Sequence, residues 1–228
     1  MASAIVTGAS RGLGLALARA LAARRRSLVI DARGEQDLET ARAELAAMTE
    51  VVAVAGDLTR ESHRRALVAA AGDEVDLLVN NAGGLGPSPL PRLEHYPLDR
   101  LEELYRVNTL APLRLIQLAL PLLSRRAAIL NITSDAAVEA YEGWGGYGSS
   151  KAALEQLTRV LAAEHPELRV YSVDPGDMRT RMHQDAFPGE DISDRPLPEQ
   201  SVPGLLALID GELPSGRYRA SELVEVPA

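Results

Sequence analysis

The chain has 228 residues, no cysteine, a net charge of −8 and a pI of about 5.1. That length suits one large domain with a sizeable core, and the acidic balance argues against nucleic acid and anionic membranes as partners. The lack of cysteine excludes disulfides, thiol catalysis and thiolate metal sites and fits a reducing compartment; with no leader pattern and no bilayer-length apolar stretch, the expectation is a soluble cytoplasmic protein.

Ala4-Ile5-Val6 predicts a strand. It runs into Thr7-Gly8-Ala9-Ser10-Arg11-Gly12-Leu13-Gly14, spaced Gly-x-x-x-Gly-x-Gly, and then into Leu15 to Ala23, rich in helix formers. Strand, glycine turn and helix together suit a pyrophosphate, because glycines admit close backbone approach and a helix N-terminus offers free N–H groups. Leu28 to Ile30 predicts the next strand, which ends at Asp31-Ala32-Arg33. An acid there would accept from a ribose 2′-hydroxyl and an arginine would pair with a 2′-phosphate, so Asp31 and Arg33 pull in opposite directions. Glu35 to Met48 reads as a helix and Val51 to Val54 as a third strand, closing at Gly56-Asp57-Leu58. Asp57 either bonds an adenine amine or caps the following helix, with Thr59 as another cap candidate.

Val75 to Val79 is a fourth strand, leading to Asn80-Asn81-Ala82-Gly83-Gly84, a segment that suits either close approach to a ligand or a plain turn. Leu85 to Pro97 contains four prolines and no periodicity and is expected to be a loop over the open end of the sheet. Leu98 to Leu123 reads as one long helix kinked by Pro112. Asn108 inside it is a surface residue, a satisfied polar one, or a site where the helix widens and binds a water. Ala127 to Thr133 is a fifth strand with Ser134 at its end, Gly148 to His165 a helix, and Leu168 to Val173 a sixth strand closing at Asp174-Pro175-Gly176-Asp177. The polar segment from about 177 to 200 is either a mobile lid or a surface loop. Ser201 to Leu213 reads as a short helix, and Tyr218 to Val226 as a further strand.

The expected fold is α/β: one Rossmann-like, doubly wound parallel sheet of six to seven strands with helices on both faces, in one domain spanning residues 1–228. Ligands of such sheets bind outside the carboxyl ends of the strands, where the singled-out residues collect. Tyr147 and Lys151, four residues apart, would share one helix face. Lys151 is the chain's single lysine, which suggests a task suited to a compact ammonium. A nearby ammonium favours the phenolate, making the pair a candidate proton donor and acceptor for a carbonyl or alcohol.

These segments, from Ala4 to about Thr180, resemble a short-chain dehydrogenase/reductase of the common single-domain type. Thr7 to Gly14 matches its Thr-Gly-x-x-x-Gly-x-Gly and Asn80 to Gly83 its Asn-Asn-Ala-Gly. Asn108, Ser134, Tyr147 and Lys151 fall in the order of its catalytic tetrad, and Pro175-Gly176 with Thr180 matches its nicotinamide-side motif. The resemblance implies hydride transfer between a nicotinamide cofactor and a small carbonyl or alcohol, without a metal. Tyr147 would move the proton, Lys151 would lower the phenol's pKa and bond the nicotinamide ribose, Ser134 would bond the substrate oxygen, and Asn108 would hold a water. It assigns cofactor contacts to Gly8, Ser10, Arg11, Gly12, Leu13, Gly14, Arg33, Asp57, Leu58, Asn81, Ala82, Gly83, Tyr147, Lys151, Pro175, Gly176 and Thr180. Aligned on the glycine turn, Ala32 replaces the acid that selects NAD, and Arg11 and Arg33 match contacts to a 2′-phosphate, so NADP(H) is the expected cofactor, with NAD(H) the alternative. Tyr141, Trp144 and the lid around Met178 to Phe187 are candidate substrate contacts; Trp144 would serve equally as core packing. A homodimer or homotetramer is expected. The alternatives are a non-catalytic NADP(H)-binding sensor or scaffold, or an isomerase, epimerase or dehydratase of the same family.

Overall fold

The computed structural model describes residues 3–223. Seven strands form one parallel sheet: β1 Ser3–Val6, β2 Ser27–Ala32, β3 Val51–Ala55, β4 Val75–Asn80, β5 Leu123–Ile132, β6 Arg169–Asp174 and β7 Gly216–Arg219, in the order β3-β2-β1-β4-β5-β6-β7. The intervening helices are α1 Gly12–Ala23, α2 Glu35–Leu45, α3 Glu61–Ala70, α4 Leu98–Tyr105, α5 Ala111–Ala119, α6 Gly145–Glu164, α7 Arg181–Ala186 and α8 Val202–Asp210.

Both sheet faces are buried, which is why the strands read as continuous apolar runs. Side chains alternate between two cores along each strand. Ala4 and Val6 of β1, Leu77 and Val79 of β4, and Ala128 and Leu130 of β5 join Leu17 and Leu21 of α1 and Leu205 and Ile209 of α8. Ile5, Leu78 and Ile129 point the other way, to Leu67 of α3, Leu115 of α5 and Leu161 of α6. The chain winds outward from β1 to β3, then crosses back to β4 on the other side of β1. The loops after β1 and β4 therefore leave in opposite directions and open a crevice at the carboxyl end of the sheet.

Three segments differ from expectation. Leu98 to Leu123 is not one helix: α4 gives way to a π-turn over Arg106–Leu110, α5 follows, and the chain enters β5 at Leu123. Pro112 in the first turn of α5 has no N–H for the Asn108 carbonyl four residues before it, so the backbone widens just there. The segment from 177 to 200 contains a helix, α7, too short to show a periodic pattern. The strand expected over Tyr218 to Val226 starts earlier and stops at Arg219, followed by a 3-10 turn at Ala220–Leu223; Val224 to Val226 lie outside the described residues. Among the described residues no helix is long and apolar enough to cross a membrane.

Candidate active site

The crevice is a cleft of about 1350 Å³ running from the glycine turn to Tyr147. A single small molecule needs roughly 300–1,000 Å³, so there is room for a dinucleotide and a substrate together. At one end α1 begins at Gly12 with Arg11 as its N-cap, no side-chain cap and no acidic residue in the first turn. Its leading N–H groups are left for an anion. Gly8 and Gly12 have φ of +66° and +58°, a region costly for side-chain-bearing residues. Gly14 packs inward: a Cβ there would lie 2.3 Å from the Gly8 carbonyl oxygen and 2.5 Å from Asn81 Nδ2.

Long-range bonds hold this turn. Thr7 Oγ1 donates to the Val79 carbonyl (3.1 Å) and accepts from the N–H groups of Asn81 and Ala82, both at 3.0 Å. Asn81 Nδ2 donates to the carbonyls of Thr7 (2.9 Å) and Gly8 (3.2 Å), so the Asn81 side chain clasps the turn while lining the cleft. Asp31 is 2% exposed. Its carboxylate accepts from the Gly8 N–H at 2.7 Å and meets His63 Nε2 at 3.1 Å. The acid that competed with Arg33 is thereby engaged by the glycine turn. Arg11 and Arg33 are exposed, line the cleft, and among the described residues form no ion pair. Asp57 does not cap α3, whose N-cap is Arg60. It accepts from the Thr59 N–H (2.8 Å), and Arg33 and Arg60 nearby favour its charged form.

At the other end, α6 starts at Gly145 and places Tyr147 and Lys151 on one face. Lys151 Nζ lies 5.7 Å from the Tyr147 ring centroid and donates to the Ile132 carbonyl at 2.8 Å. Ser134 Oγ donates to Asp135 Oδ1 at 2.8 Å and accepts from the Ala136 N–H at 3.2 Å. Asn108 is fully buried, with Oδ1 accepting from the Gly84 N–H (2.8 Å) and Nδ2 donating to the Gly84 carbonyl (2.9 Å) and Ser150 Oγ (3.0 Å). A Cβ on Gly83 would come within 3.2 Å of Asn108 Oδ1 and 3.6 Å of Lys151 Nζ, so the β4 loop, the π-turn and α6 meet here.

The electrostatics depart from expectation. Burial, then the carboxylates of Asp174 and Asp135, push the Tyr147 phenol well above its ordinary pKa, with the Ser134 hydroxyl opposing. Burial also lowers Lys151 to about 8. Burial and the two carboxylates, one at the end of β6 and one in the turn after β5, outweigh the effect expected of the ammonium alone.

Ser10, Leu13, Leu58, Ala82, Pro175, Gly176, Met178 and Trp144 line the cleft as expected; Thr180 also lines it and caps α7 by accepting from the His183 N–H at 3.2 Å. Gly14, Asn108 and Tyr141 do not line it. Tyr141 is exposed, its hydroxyl between Asp135 (3.0 Å) and Glu139 (2.8 Å). Trp144 both lines the cleft and packs, edge-on to Tyr147 and against Phe187. Sequence reasoning passed over Leu85 and Leu104, which wall this end with Met182, and Glu155, one further four-residue step along the Tyr147–Lys151 face.

A family model described as short chain dehydrogenase matches residues 2–191. The chain is 35% identical to sepiapterin reductase of Bos taurus over 199 residues, covering 79% of this chain and 74% of that protein. It superposes on a short chain dehydrogenase structure from Pseudomonas syringae with a TM-score of 0.90, at 32% identity and over 96% and 94% of the two chains. A short chain dehydrogenase from Shigella flexneri complexed with NADP gives a TM-score of 0.87 at 26% identity, over 96% and 97%. With the sheet order, the glycine turn and the Tyr147–Lys151 face already in hand, these likenesses settle the family: the chain belongs to the short-chain dehydrogenases.

Proposed function

We propose that this chain is an NADP(H)-dependent oxidoreductase that reduces a small carbonyl compound, or oxidises the corresponding alcohol, with Tyr147 as proton donor and acceptor. The observation that carries the reading is that Tyr147, Lys151 and Ser134 line one end of a cleft whose other end is an uncapped helix N-terminus. The residues fit the cofactor. The glycine turn leaves backbone room for a pyrophosphate, and Gly83 and Gly176 keep side chains away from the path between the two ends. The cofactor, when bound, supplies or receives the hydride.

The protein's part is to position and to move a proton. A phenol raised above its ordinary value is protonated at neutral pH, the form needed to donate to a developing alkoxide. Ser134 Oγ offers a hydroxyl at the end of β5, and a substrate oxygen would exchange for its present Asp135 partner. Lys151, anchored by the Ile132 carbonyl, sets a positive charge under the site. Leu85, Leu104, Trp144 and Met182 exclude water from the reacting end, which favours an uncharged substrate body there. The reductase name of the bovine relative is consistent with this direction.

Preference for NADP(H) over NAD(H) is supported by the guanidinium groups of Arg11 and Arg33, which line the cleft and form no ion pair among the described residues, and by the engagement of Asp31 elsewhere. A lid role for 177–200 is supported by α7, whose Met182, His183 and Asp185 form part of the rim, and by Ser88 Oγ donating to the Asp185 carbonyl at 2.6 Å. The test is Tyr147→Phe in an NADPH-absorbance assay with a panel of aldehydes and ketones. Turnover should fall by about 10²–10⁴ while NADPH binding, followed by fluorescence, persists. Turnover surviving in the phenylalanine variant would refute the assignment.

A further inference from the structure

On the edge strand β7, remote in sequence from every motif above, one guanidinium ties together the groups behind the reacting phenol. Arg217 Nε donates to Glu155 Oε1 at 3.0 Å, and Arg217 Nη2 donates to Asp174 Oδ2 at 3.2 Å and to the Ser134 carbonyl at 3.3 Å. Glu155 Oε1 also accepts from Thr133 Oγ1 at 2.8 Å, and Asp174 Oδ1 from the Gly176 N–H at 3.0 Å. The Glu155 and Asp174 side chains are only 3% and 6% exposed, that of Arg217 24%. Two buried carboxylates thus share one guanidinium at the ends of β5 and β6, and the fork geometry of arginine serves both.

The charges that act on the Tyr147 phenol are the carboxylates of Asp174, at the end of β6, and Asp135, after β5. Lys151 lies on the same helix, 5.7 Å from the ring centroid. Glu155 continues along α6, and β7 contributes Arg217 and Arg219, which hold Asp174. From further off, α4 brings Arg100 and Glu103 and α7 brings His183 and Asp185 to the same cleft. Arg219 Nε is 3.7 Å from Asp174 and its other end pairs with Glu139, so its grip on Asp174 is the weaker one. Asp174 and Asp135 both favour the neutral phenol.

We propose that Arg217 is a positioning residue of the reaction: it fixes the Ser134 end of β5 against β6 and α6 through Glu155 and Asp174, and it offsets the charge of Asp174, a carboxylate that acts on Tyr147. Removing it leaves Glu155 without its guanidinium and Asp174 with only the longer contact to Arg219, and the stronger field of Asp174 stabilises the neutral phenol further. The inference rests on Tyr147 being the proton donor.

The test is the pH dependence of kcat/KM for benzaldehyde reduction by NADPH in four proteins. In Arg217→Met the higher alkaline limb, where the phenol ionises above the loss of the Lys151 proton near 8, should move up by roughly 0.5–1 pH unit, with kcat reduced about tenfold as the Ser134 anchor is lost. Arg217→Lys should restore the limb but not all of kcat, since an ammonium keeps the charge and loses the fork. Asp174→Asn should move the limb down. A wild-type profile in both Arg217→Met and Asp174→Asn, or shifts of the same sign in the two, overturns the proposal. If Arg217→Met fails to fold, Asp174→Asn decides the charge role, an unmoved or raised limb overturning it, and Arg217→Lys decides the anchor, a wild-type kcat overturning it. A second arm needs no turnover. With ¹³Cζ-labelled tyrosine, assigned by Tyr147→Phe, Asp174→Asn should ionise Tyr147 at lower pH than wild type, and Arg217→Met no earlier than wild type. An unmoved Asp174→Asn titration, or earlier ionisation in Arg217→Met, refutes the charge role. Absence of wild-type turnover counts against the proposed function alone, and the spectroscopic arm then decides Arg217.

Discussion

Gly14→Ala adds one methyl group, and the structure says where it goes. The new Cβ would meet the Gly8 carbonyl oxygen at 2.3 Å, its carbon at 2.9 Å and Asn81 Nδ2 at 2.5 Å. Contacts of that kind need to open by close to 1 Å. The carbonyl belongs to backbone held between β1 and α1 and cannot rotate aside. The amide can move only by giving up its bonds to the Thr7 and Gly8 carbonyls. Overpacking costs roughly 1–3 kcal/mol, and each displaced hydrogen bond roughly 0.5–1.5 kcal/mol. Alanine returns about 1 kcal/mol of helix propensity. The net expectation is a loss of about 1–5 kcal/mol, centred near 3, which at roughly 2–4 °C per kcal/mol for a chain of this size lowers Tm by about 6–12 °C at the central value. NADPH should stabilise the variant less than wild type, because the displaced groups form the phosphate end of the cleft. Thermal unfolding by circular dichroism, with and without NADPH, measures both. Gly34→Ala is the control: its nearest contact is Asp37 Oδ2 at 3.8 Å and its φ is −85°. A Gly14→Ala protein as stable as wild type, or stabilised as an exposed helix glycine replaced by alanine would be, refutes the close-packing account.

Arg33→Ala should raise the KM for NADPH about tenfold and leave that for NADH nearly unchanged, with added salt shrinking the difference because the group is exposed. Parallel kinetics with both cofactors check it, and equal effects on the two would remove Arg33 from 2′-phosphate recognition. Lys151→Met should abolish turnover yet stabilise the fold near neutral pH. Lys151 lies near 8 in the folded protein against 10.5 for the free side chain. Below pH 8 the burial penalty is fully present; between about 8 and 10.5 the folded state has released a proton that the unfolded state keeps, so wild-type stability rises with pH. The advantage of the methionine variant, on the order of 3 kcal/mol at most, should therefore fade across that window. Tm measured against pH in both proteins tests the sign, and a constant difference would contradict it.

Much of the site was legible before any coordinates. The glycine turn is local chemistry, and the four-residue step from Tyr147 to Lys151 is a statement about helical geometry that held once α6 was found to begin at Gly145. Pro112 announced a break, though its form as a π-turn around Asn108 depended on what the freed backbone could pack against. Other placements depended on partners distant in sequence. Asp31 pulled against the arginines that favoured NADP(H), and what occupies it, the Gly8 N–H and His63, is set by contacts distant in sequence. Tyr141 joined the substrate candidates by proximity in sequence, and the surface carboxylates of Asp135 and Glu139 hold it outside the cleft.

By itself, then, the amino-acid order determined which segments become strands and helices, that the strands run parallel and buried, and which backbone turns are free of side chains. Those properties depend on residues a few positions apart, where periodicity and steric limits operate. Only the tertiary structure decided the sheet order that opens the crevice between β1 and β4, the direction in which Tyr147 titrates, and the meeting of Glu155, Asp174 and Arg217 behind Ser134. A pKa and an ion pair depend on the sum of charges within a few ångströms, and here those charges arrive from strands and helices that the chain brings together only on folding.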